Sequence, residues 1–485
     1  MLLTLLSLFW FVSFTDKNTD SHLALGERAV VQRQKWDIAI DSLDYSVSPS
    51  YLNALRSTGA RICHTSRWMN GATIEADSAT IALVEMLPCV QSIELTRNNV
   101  CNNPRFMSPQ RLRTPSQQVV VDYNLAQQQQ DMQNITPLHL LGYKGQGIHL
   151  AVIDGGFQNI DTLSCFDSIR TRLSTFDMAD SEYDFSSSEG AHGSYCLSLI
   201  GGYTQINQQV VGDTLTRTYY EGAAIDATFY AIRSEEEGVE SPKECDNLLS
   251  AVELCDSLGV NIISVSLGYS EFDDTTFNFT YADMDGQSIR VSRGFAIAAA
   301  KGMLVLNAAG NEGSKAWYYI SAPADADHIL TVGATDVNRQ IAPFSSRGPS
   351  FDQRVKPDVC GVGWKSIIIN PTNNQPQSGN GTSFACPLTA GMAATLWSAL
   401  PNESAMQIRE RIIRSAHQYD QPDNEYGYGI PDAMKAYQMS IGTGTKTTCL
   451  TSLKRGVYYE NGQIIILRDG VRYSLLGHTL SNAAH

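Results

Sequence analysis

The stretch GIHLAVIDGG, Gly147–Gly156, holds one acidic residue, and that residue stands where an apolar run stops. From Leu150 to Ile153 the run is continuously apolar rather than alternating. Such a strand suits burial on both faces, the situation inside a parallel sheet. Four further runs read the same way: ATFYAIR (Ala227–Arg233), NIISVSLG (Asn261–Gly268), MLVLNAAG (Met303–Gly310) and ILTVGAT (Ile329–Thr335). Helical stretches separate several of them, among them CDNLLSAVELCDSLG and IRVSRGFAIAAAKG. Residues 136–440 are therefore expected to form an α/β domain with a doubly wound, mainly parallel sheet. Ligands of such folds sit at the carboxyl ends of the strands, which puts Asp154 at the crevice. The plainer alternative is a strand-ending Asp-Gly turn.

Working outward, residues 35–97 have a rhythm of their own. WDIAIDSL (Trp36–Leu43) alternates like a strand, and SPSYLNALRSTG begins and ends as a capped helix would. RICHTSRW and GATIEA read as strands around a turn at Asn70–Gly71, followed by a helix capped by Asp77 or Ser78 and by the strand VQSIEL. The order β-α-β-β-α-β implies a small α+β, ferredoxin-like unit. Residues 98–135, with three prolines and the tract Gln127–Gln130, read as an exposed connector. Residues 441–485 open on a Gly/Thr linker and continue as two or three strands turning at Asn461–Gly462 and Asp469–Gly470. At the other end, LLTLLSLFWFVSF (residues 2–14) is uncharged and too short to span a membrane comfortably. It reads as the core of a signal peptide over residues 1–16, although no Lys or Arg precedes it, with a buried N-terminal element as the alternative. No later segment looks transmembrane.

Composition narrows the function classes. The chain has 485 residues, 43% of them hydrophobic and 18% charged, enough for a large core. A net charge of −15 argues against nucleic acid or an anionic membrane as the main partner. Ten cysteines occur without C-x-x-C spacing, so a zinc site is not expected. Export would permit disulfides among them, while burial as small hydrophobes suits several equally well.

Three more residues join Asp154 as candidates. His192, in EGAHGSYCLSLIGG, precedes a helical apolar run. At a helix N-terminus the dipole disfavours a permanently protonated ring, which leaves it free to act as a general base. Asn311, in NAAGNEG, directly follows a buried strand and carries an amide able to donate to a developing anion. Ser383 lies in GNGTSFACP (Gly379–Pro387), before the apolar run LTAGMAATLWSAL. It reads as a helix cap or as a nucleophile. Pro387 is tolerated only near a helix start, so Ser383 falls in the first turn, with its N–H pointing out of the helix end. An acyl-transfer site requires a nucleophile, a base, a carboxylate to orient the base, and donors for the oxyanion. The chain supplies candidates for each, in the order Asp, His, Asn, Ser.

These residues resemble the subtilisin-like serine proteases, the subtilases or peptidase S8 family. AVIDGG is similar to the Asp motif, HGSYCLSLIGG to the His motif, AAGN to the oxyanion motif and GTSFACP to the Ser motif; SVSLG, FSSRGP and KPDV also resemble family segments. The resemblance covers about residues 136–440. It implies a serine endopeptidase whose Ser383 attacks, whose His192 moves the proton, whose Asp154 holds the imidazole, and whose Asn311 and Ser383 N–H form the oxyanion hole. It implies that Ser264 to Gly268, with Leu267 and Gly268 among them, bind the substrate backbone, with Ala308–Gly310, Ala309 and Gly310 among them, on the opposite wall. Residues 35–97 resemble the family's inhibitory propeptide, cut off after folding between about residues 97 and 122. The implied partners are protein or peptide substrates and the chain's own propeptide, with no nucleic acid and no transmembrane anchor. The implied location is outside the cell or at its surface. The residues alone do not separate hydrolysis from transacylation.

Two cysteines depart from the pattern: Cys196, four residues after His192, and Cys386, three after Ser383. They read as plain small residues under the site or as a source of thiol sensitivity. No cofactor is expected for the chemistry. Structural calcium is common in the resembled family, and the acid-rich TYADMDGQS (Thr280–Ser288) is the candidate loop, with a plain Asp-Gly turn as the alternative. RYSLLGHTL near the end is somewhat similar to sorting tails of bacterial type IX secretion, with a small β module as the alternative.

Overall fold

The computed structural model describes residues 8–97, 123–179, 190–211, 214–236 and 238–441, and three strands between 455 and 474. Seven strands form one parallel sheet. Their spatial order is Val359–Val362, Leu330–Thr335, Leu304–Ala308, Ile262–Val265, His149–Asp154, Thr228–Arg233, Leu173–Asp177. From His149–Asp154 the chain builds first toward the Leu173–Asp177 edge, then returns and builds away from it. The direction of winding reverses between His149–Asp154 and Ile262–Val265, where a doubly wound sheet opens its crevice. The five runs read from sequence are all strands; the two edge strands, Leu173–Asp177 and Val359–Val362, were not foreseen.

The opening run behaves as its pattern dictates. Leu150 and Val152 pack into a core layer shared with Leu388 and Leu396 of the helix Thr382–Ala399. Ala151 and Ile153 pack into the other layer, with Leu248 and Val252 of the helix Pro242–Leu258. Burial on both faces explains the missing alternation. The helix Thr382–Ala399 is itself buried from Thr382 to Trp397. A helix apolar all round belongs inside a molecule, and this one lies under the sheet beside the crevice.

The small N-terminal unit is present, with one change. Its sheet has the order Arg61–Ser66, Gly71–Ala76, Leu8–Phe14, Val90–Arg97. Leu8–Phe14, expected within a signal peptide over residues 1–16, is an interior strand paired on both sides. Phe11, Val12 and Phe14 are buried, and Val12 and Phe14 pack against Leu55, Ile74 and Val84. Trp36–Leu43, expected as the first strand, is not one: Asp37 has φ +53 and Ser42–Asp44 form a turn of 3-10 helix. The unit therefore reaches back at least to residue 8 rather than starting at 35, and the apolar run supplies one of its interior strands. The other elements stand as read, with Asn70 at φ +47 in the turn and the Asp77 side chain capping Ser78–Glu85 through Thr80 N.

The connector is shorter than expected. Residues 98–122 lie outside the described residues, but Gln127–Met132 is a helix. Gln129 accepts from Ile367 N at 2.8 Å and Gln130 donates to Glu221 O at 2.7 Å, so the glutamine tract is built into the large domain. In the tail, Arg455–Glu460, Gln463–Arg468 and Val471–Ser474 form an antiparallel three-stranded sheet.

The small sheet lies on the helix Pro242–Leu258 through buried polar contacts. Glu253 accepts from Ser66 Oγ at 2.6 Å and from Arg67 N at 2.9 Å. Arg67 reaches Asp256 at 2.7 Å, and Arg33 bridges Asp44 and Asp256 at 3.1 and 2.6 Å. Thr73 donates to Asp246 at 2.9 Å. Burial of so many ionic groups demands pairing, and each of these groups has a partner across the contact. No helix among the described residues is long and apolar enough to cross a membrane.

Candidate active site

Asp154 ends its strand fully buried at the reversal of winding. Its Oδ1 accepts Gly155 N at 2.8 Å and His192 Nδ1 at 2.7 Å. His192 is the first residue of the helix His192–Gly201, as its motif suggested. Gly193 permits the approach, since a Cβ there would meet Gly156 O at 2.5 Å. The His192 side chain is 37% exposed, so one side of the ring faces the crevice. Burial disfavours the charged ring, but the Asp154 carboxylate outweighs it and holds the His192 pKa well above 6.5. The Asp154 charge at 2.7 Å works against the helix terminus, which disfavours the charged ring.

Ser383 is the second residue of its helix, 6% exposed. At Gly381, the residue before the helix, a Cβ would lie 2.6 Å from Ser383 Oγ, so any side chain there displaces the hydroxyl. The structure brings this first turn against the imidazole, with the rings of His192 and Phe384 stacked at 5.7 Å. Asn311 is exposed in the loop after Leu304–Ala308. Its Oδ1 accepts Thr382 N at 2.9 Å and Thr382 Oγ1 at 3.1 Å. That leaves the Asn311 Nδ2 donors beside the N-terminus that carries the Ser383 N–H. Thr382, which fixes this amide, was missed by sequence reasoning.

The substrate-facing segment is narrower than Ser264–Gly268. Val265 pairs with Ile153, so Ser266 comes level with Asp154 as the strand runs out. Ser264 is fully buried inside the sheet, with its hydroxyl 3.7 Å from Cys386 Sγ, and cannot reach a substrate. Ala309 is also fully buried, in a small cluster with Ile320 and Ala324. Ser266, Leu267 and Gly268 remain accessible on one side and Gly310 on the other. At Gly310 a Cβ would meet Ser346 Oγ at 2.8 Å, so the wall there is backbone.

The two unusual cysteines both lie under the site. Cys386 is fully buried and donates to Val265 O at 3.4 Å. Cys196 is fully buried and sits 3.8 Å from His192 Nδ1 and 3.2 Å from Ser383 O. Burial pushes the Cys196 thiol up to about 11. All eight cysteines among the described residues are free. Glu235, also missed, lies beside Gly155 and accepts from Tyr269 Oη at 2.6 Å; burial first, and the Asp154 charge with it, raises its carboxyl to about 7.

In the acid-rich loop, Asp283 and Asp285 hydrogen-bond within their own turns. Asp283 accepts Thr280 N and Oγ1, both at 2.7 Å, and Asp285 accepts Gln287 N, Ser288 N and Ser288 Oγ at 2.7–2.8 Å. Both carboxylates are committed to their own turns.

This geometry agrees with the family comparison. The model of the subtilase family, peptidase S8, matches residues 145–429. The chain belongs to the subtilases. A second model, the peptidase S8 propeptide domain of Bacteroidota, matches residues 9–111, which includes nearly all of the strand Leu8–Phe14. Among curated relatives, subtilisin DY of Bacillus licheniformis is 28% identical over 279 residues, covering 57% of this chain and 85% of that protein. Subtilisin E of Bacillus subtilis (strain 168) is 28% identical over 302 residues, covering 62% of this chain and 68% of that protein. Among solved structures, the prenylagaramide maturation protease PagA aligns at 21% identity with a TM-score of 0.48, covering 63% of this chain and 98% of that one. This subtilase is thus a serine endopeptidase of the subtilisin-like fold, with an N-terminal propeptide domain.

Proposed function

We propose that the chain is a self-processed, exported zymogen that hydrolyses peptide bonds through Asp154, His192 and Ser383. The observation that carries the reading is the 2.7 Å bond from His192 Nδ1 to the buried Asp154, made against the first turn of the helix that bears Ser383. Ser383 Oγ attacks the scissile carbonyl while His192 Nε2 takes its proton. Asp154 fixes the tautomer and offsets the charge gained by the ring. Asn311 Nδ2 and the Ser383 N–H receive the oxyanion, in a place where the Oδ1 contacts to Thr382 have already fixed the amide. Collapse expels the amine with the proton from His192, and water, activated by the same base, releases the acyl group.

Extended peptides or proteins are the substrates, their backbone lying along Ser266–Gly268 with Gly310 opposite. No cofactor takes part in the chemistry. The propeptide inhibits its own protease until cleavage after residue 97, with Glu253, Asp256 and Asp246 as its docking groups. Export is supported by the Bacteroidota propeptide match, and the three-stranded tail is the segment to test as a sorting module. Incubating the purified protein with a peptide library, read by mass, and sequencing its N-terminus tests these statements together. The expected result is internal cleavage with gain of water and an N-terminus between residues 98 and 122. A folded full-length chain that cuts neither itself nor any peptide would overturn the reading.

A further inference from the structure

An α-helical carbonyl normally accepts the N–H four residues on, and four residues after Ser383 stands Pro387, which has none. The Ser383 carbonyl is therefore released from the helix ladder at a residue only 6% exposed. A buried carbonyl without a donor is costly, so where this one turns is a structural question with a definite answer. Two side chains meet it. Ser266 Oγ donates at 2.9 Å from the segment just past the strand Ile262–Val265. Cys196 Sγ donates at 3.2 Å from the helix His192–Gly201.

We propose that Ser266 and Cys196 are positioning residues for the nucleophile, together gripping the carbonyl that Pro387 sets free. The proposal rests on Ser383 being the nucleophile and concerns how that residue is held. The three elements that carry the substrate segment, the histidine and the serine converge on one oxygen atom. Cys196 also lies 3.8 Å from His192 Nδ1, so the base and the nucleophile share this neighbour. Its thiol, raised by burial, keeps its proton across neutral pH and remains a donor throughout. Cys386 supports the grip from below by donating to Val265 O at 3.4 Å, one residue before Ser266. A plain helix would have fixed the Ser383 carbonyl along its own axis. Here its fixation instead reports the position of the neighbouring strand and helix.

The consequence is kinetic. With one donor removed, the first turn of the serine helix settles back, while the substrate walls of Leu267, Gly268 and Gly310 stay in place. Misplacement by about 1 Å costs on the order of 100-fold in rate, and loss of one of two donors should cost about tenfold. The effect belongs in kcat, with KM changed less than about twofold. Ser266→Ala and Cys196→Ala are the test variants, and Cys196→Ser, which keeps a donor of similar reach, is the conservative control. The decisive variant is Ser266→Ala combined with Pro387→Ala, because alanine at 387 returns the helical N–H to the orphaned carbonyl.

Full chains are prepared alike, and active sites are titrated with a fluorophosphonate. The expected result is a kcat about tenfold lower in Ser266→Ala and Cys196→Ala, with acylation of Ser383 by the probe slowed by the same factor. Cys196→Ser should stay within about twofold of the parent, and the double variant should recover most of the lost kcat. Unchanged kcat in both alanine variants, losses that appear in KM instead, or no recovery with Pro387→Ala would overturn the proposal. If Ser266→Ala fails to fold, the comparison of Cys196→Ala with Cys196→Ser decides by the same criterion. Absence of probe labelling in the parent protein refutes the nucleophile itself, which is a separate failure.

Discussion

Replacing Glu253 by alanine removes the acceptor at the centre of the propeptide contact. Glu253 is 4% exposed and takes Ser66 Oγ at 2.6 Å, Arg67 N at 2.9 Å and Trp68 N at 3.3 Å. Breaking a buried ionic contact by deleting one partner typically costs about 3–5 kcal/mol, because the other partner is left uncompensated. Arg67 is not stranded completely: it keeps Asp256 at 2.7 Å and Ser257 Oγ at 3.0 Å. The low end therefore applies, about 3 kcal/mol, or roughly 100-fold in affinity at 1.4 kcal/mol per decade. The assay is the inhibition constant of the separate propeptide, residues 8–97, against the mature protease. Glu253→Ala should weaken inhibition about 100-fold, and Glu253→Gln less, since one oxygen acceptor survives. Turnover of peptides should not change, because the Glu253 carboxylate is spent on Ser66, Arg67 and Trp68 of the small sheet. An inhibition constant within about threefold of the parent, or an equal loss in turnover, would refute the assignment of this surface.

Other expectations follow from the same geometry. His64, in the propeptide strand Arg61–Ser66, has its pKa lowered to about 4, by burial first and by Lys243 next. Neutral His64 therefore supports the docked state fully above its free value near 6.5, and that support is lost as pH falls toward 4. Inhibition should weaken between those values, and His64→Phe should flatten the pH dependence; an unchanged slope would contradict this. For His192 the sign is opposite: its value is raised, so its ion pair stabilises the fold fully below 6.5 and is lost as pH rises through the folded value. The basic form is reached on the same climb, so kcat/KM should rise with pH above 6.5. Asp154→Asn should move that limb to lower pH and cut kcat by about 10⁴-fold, the scale established for serine-protease triads, subtilisin included. Gly381→Ala should abolish most turnover without unfolding the protein, because its Cβ would lie 2.6 Å from Ser383 Oγ; full activity would show that the first turn adjusts freely.

The large domain was readable because each central strand is buried on both faces and so lacks alternation, as Leu150–Ile153 show. Asp154, His192, Asn311 and Ser383 were readable because each stands where a strand or helix changes into a loop. The edge strand Leu173–Asp177 is partly exposed and carries no such signature, whereas Val359–Val362 is buried throughout but only four residues long. The run Leu8–Phe14 was misread for a physical reason: a short apolar stretch looks alike whether it awaits a membrane or the middle of a sheet. Its partners, Gly71–Ala76 and Val90–Arg97, are far away in sequence, and only their pairing decides. Ser264 failed as a substrate contact because strand pairing on both sides buries it, whereas Ser266, two residues on, has left the ladder. The absence of an N–H at Pro387 was visible in the sequence, and the question of what replaces it could have been asked there.

The most direct measurement is covalent labelling of the native protein with a fluorophosphonate, followed by peptide mapping by mass spectrometry. The account expects one equivalent of probe on Ser383, no label in Ser383→Ala, and labelling that slows sharply in Asp154→Asn. Labelling at another serine, or undiminished labelling in Ser383→Ala, would contradict it.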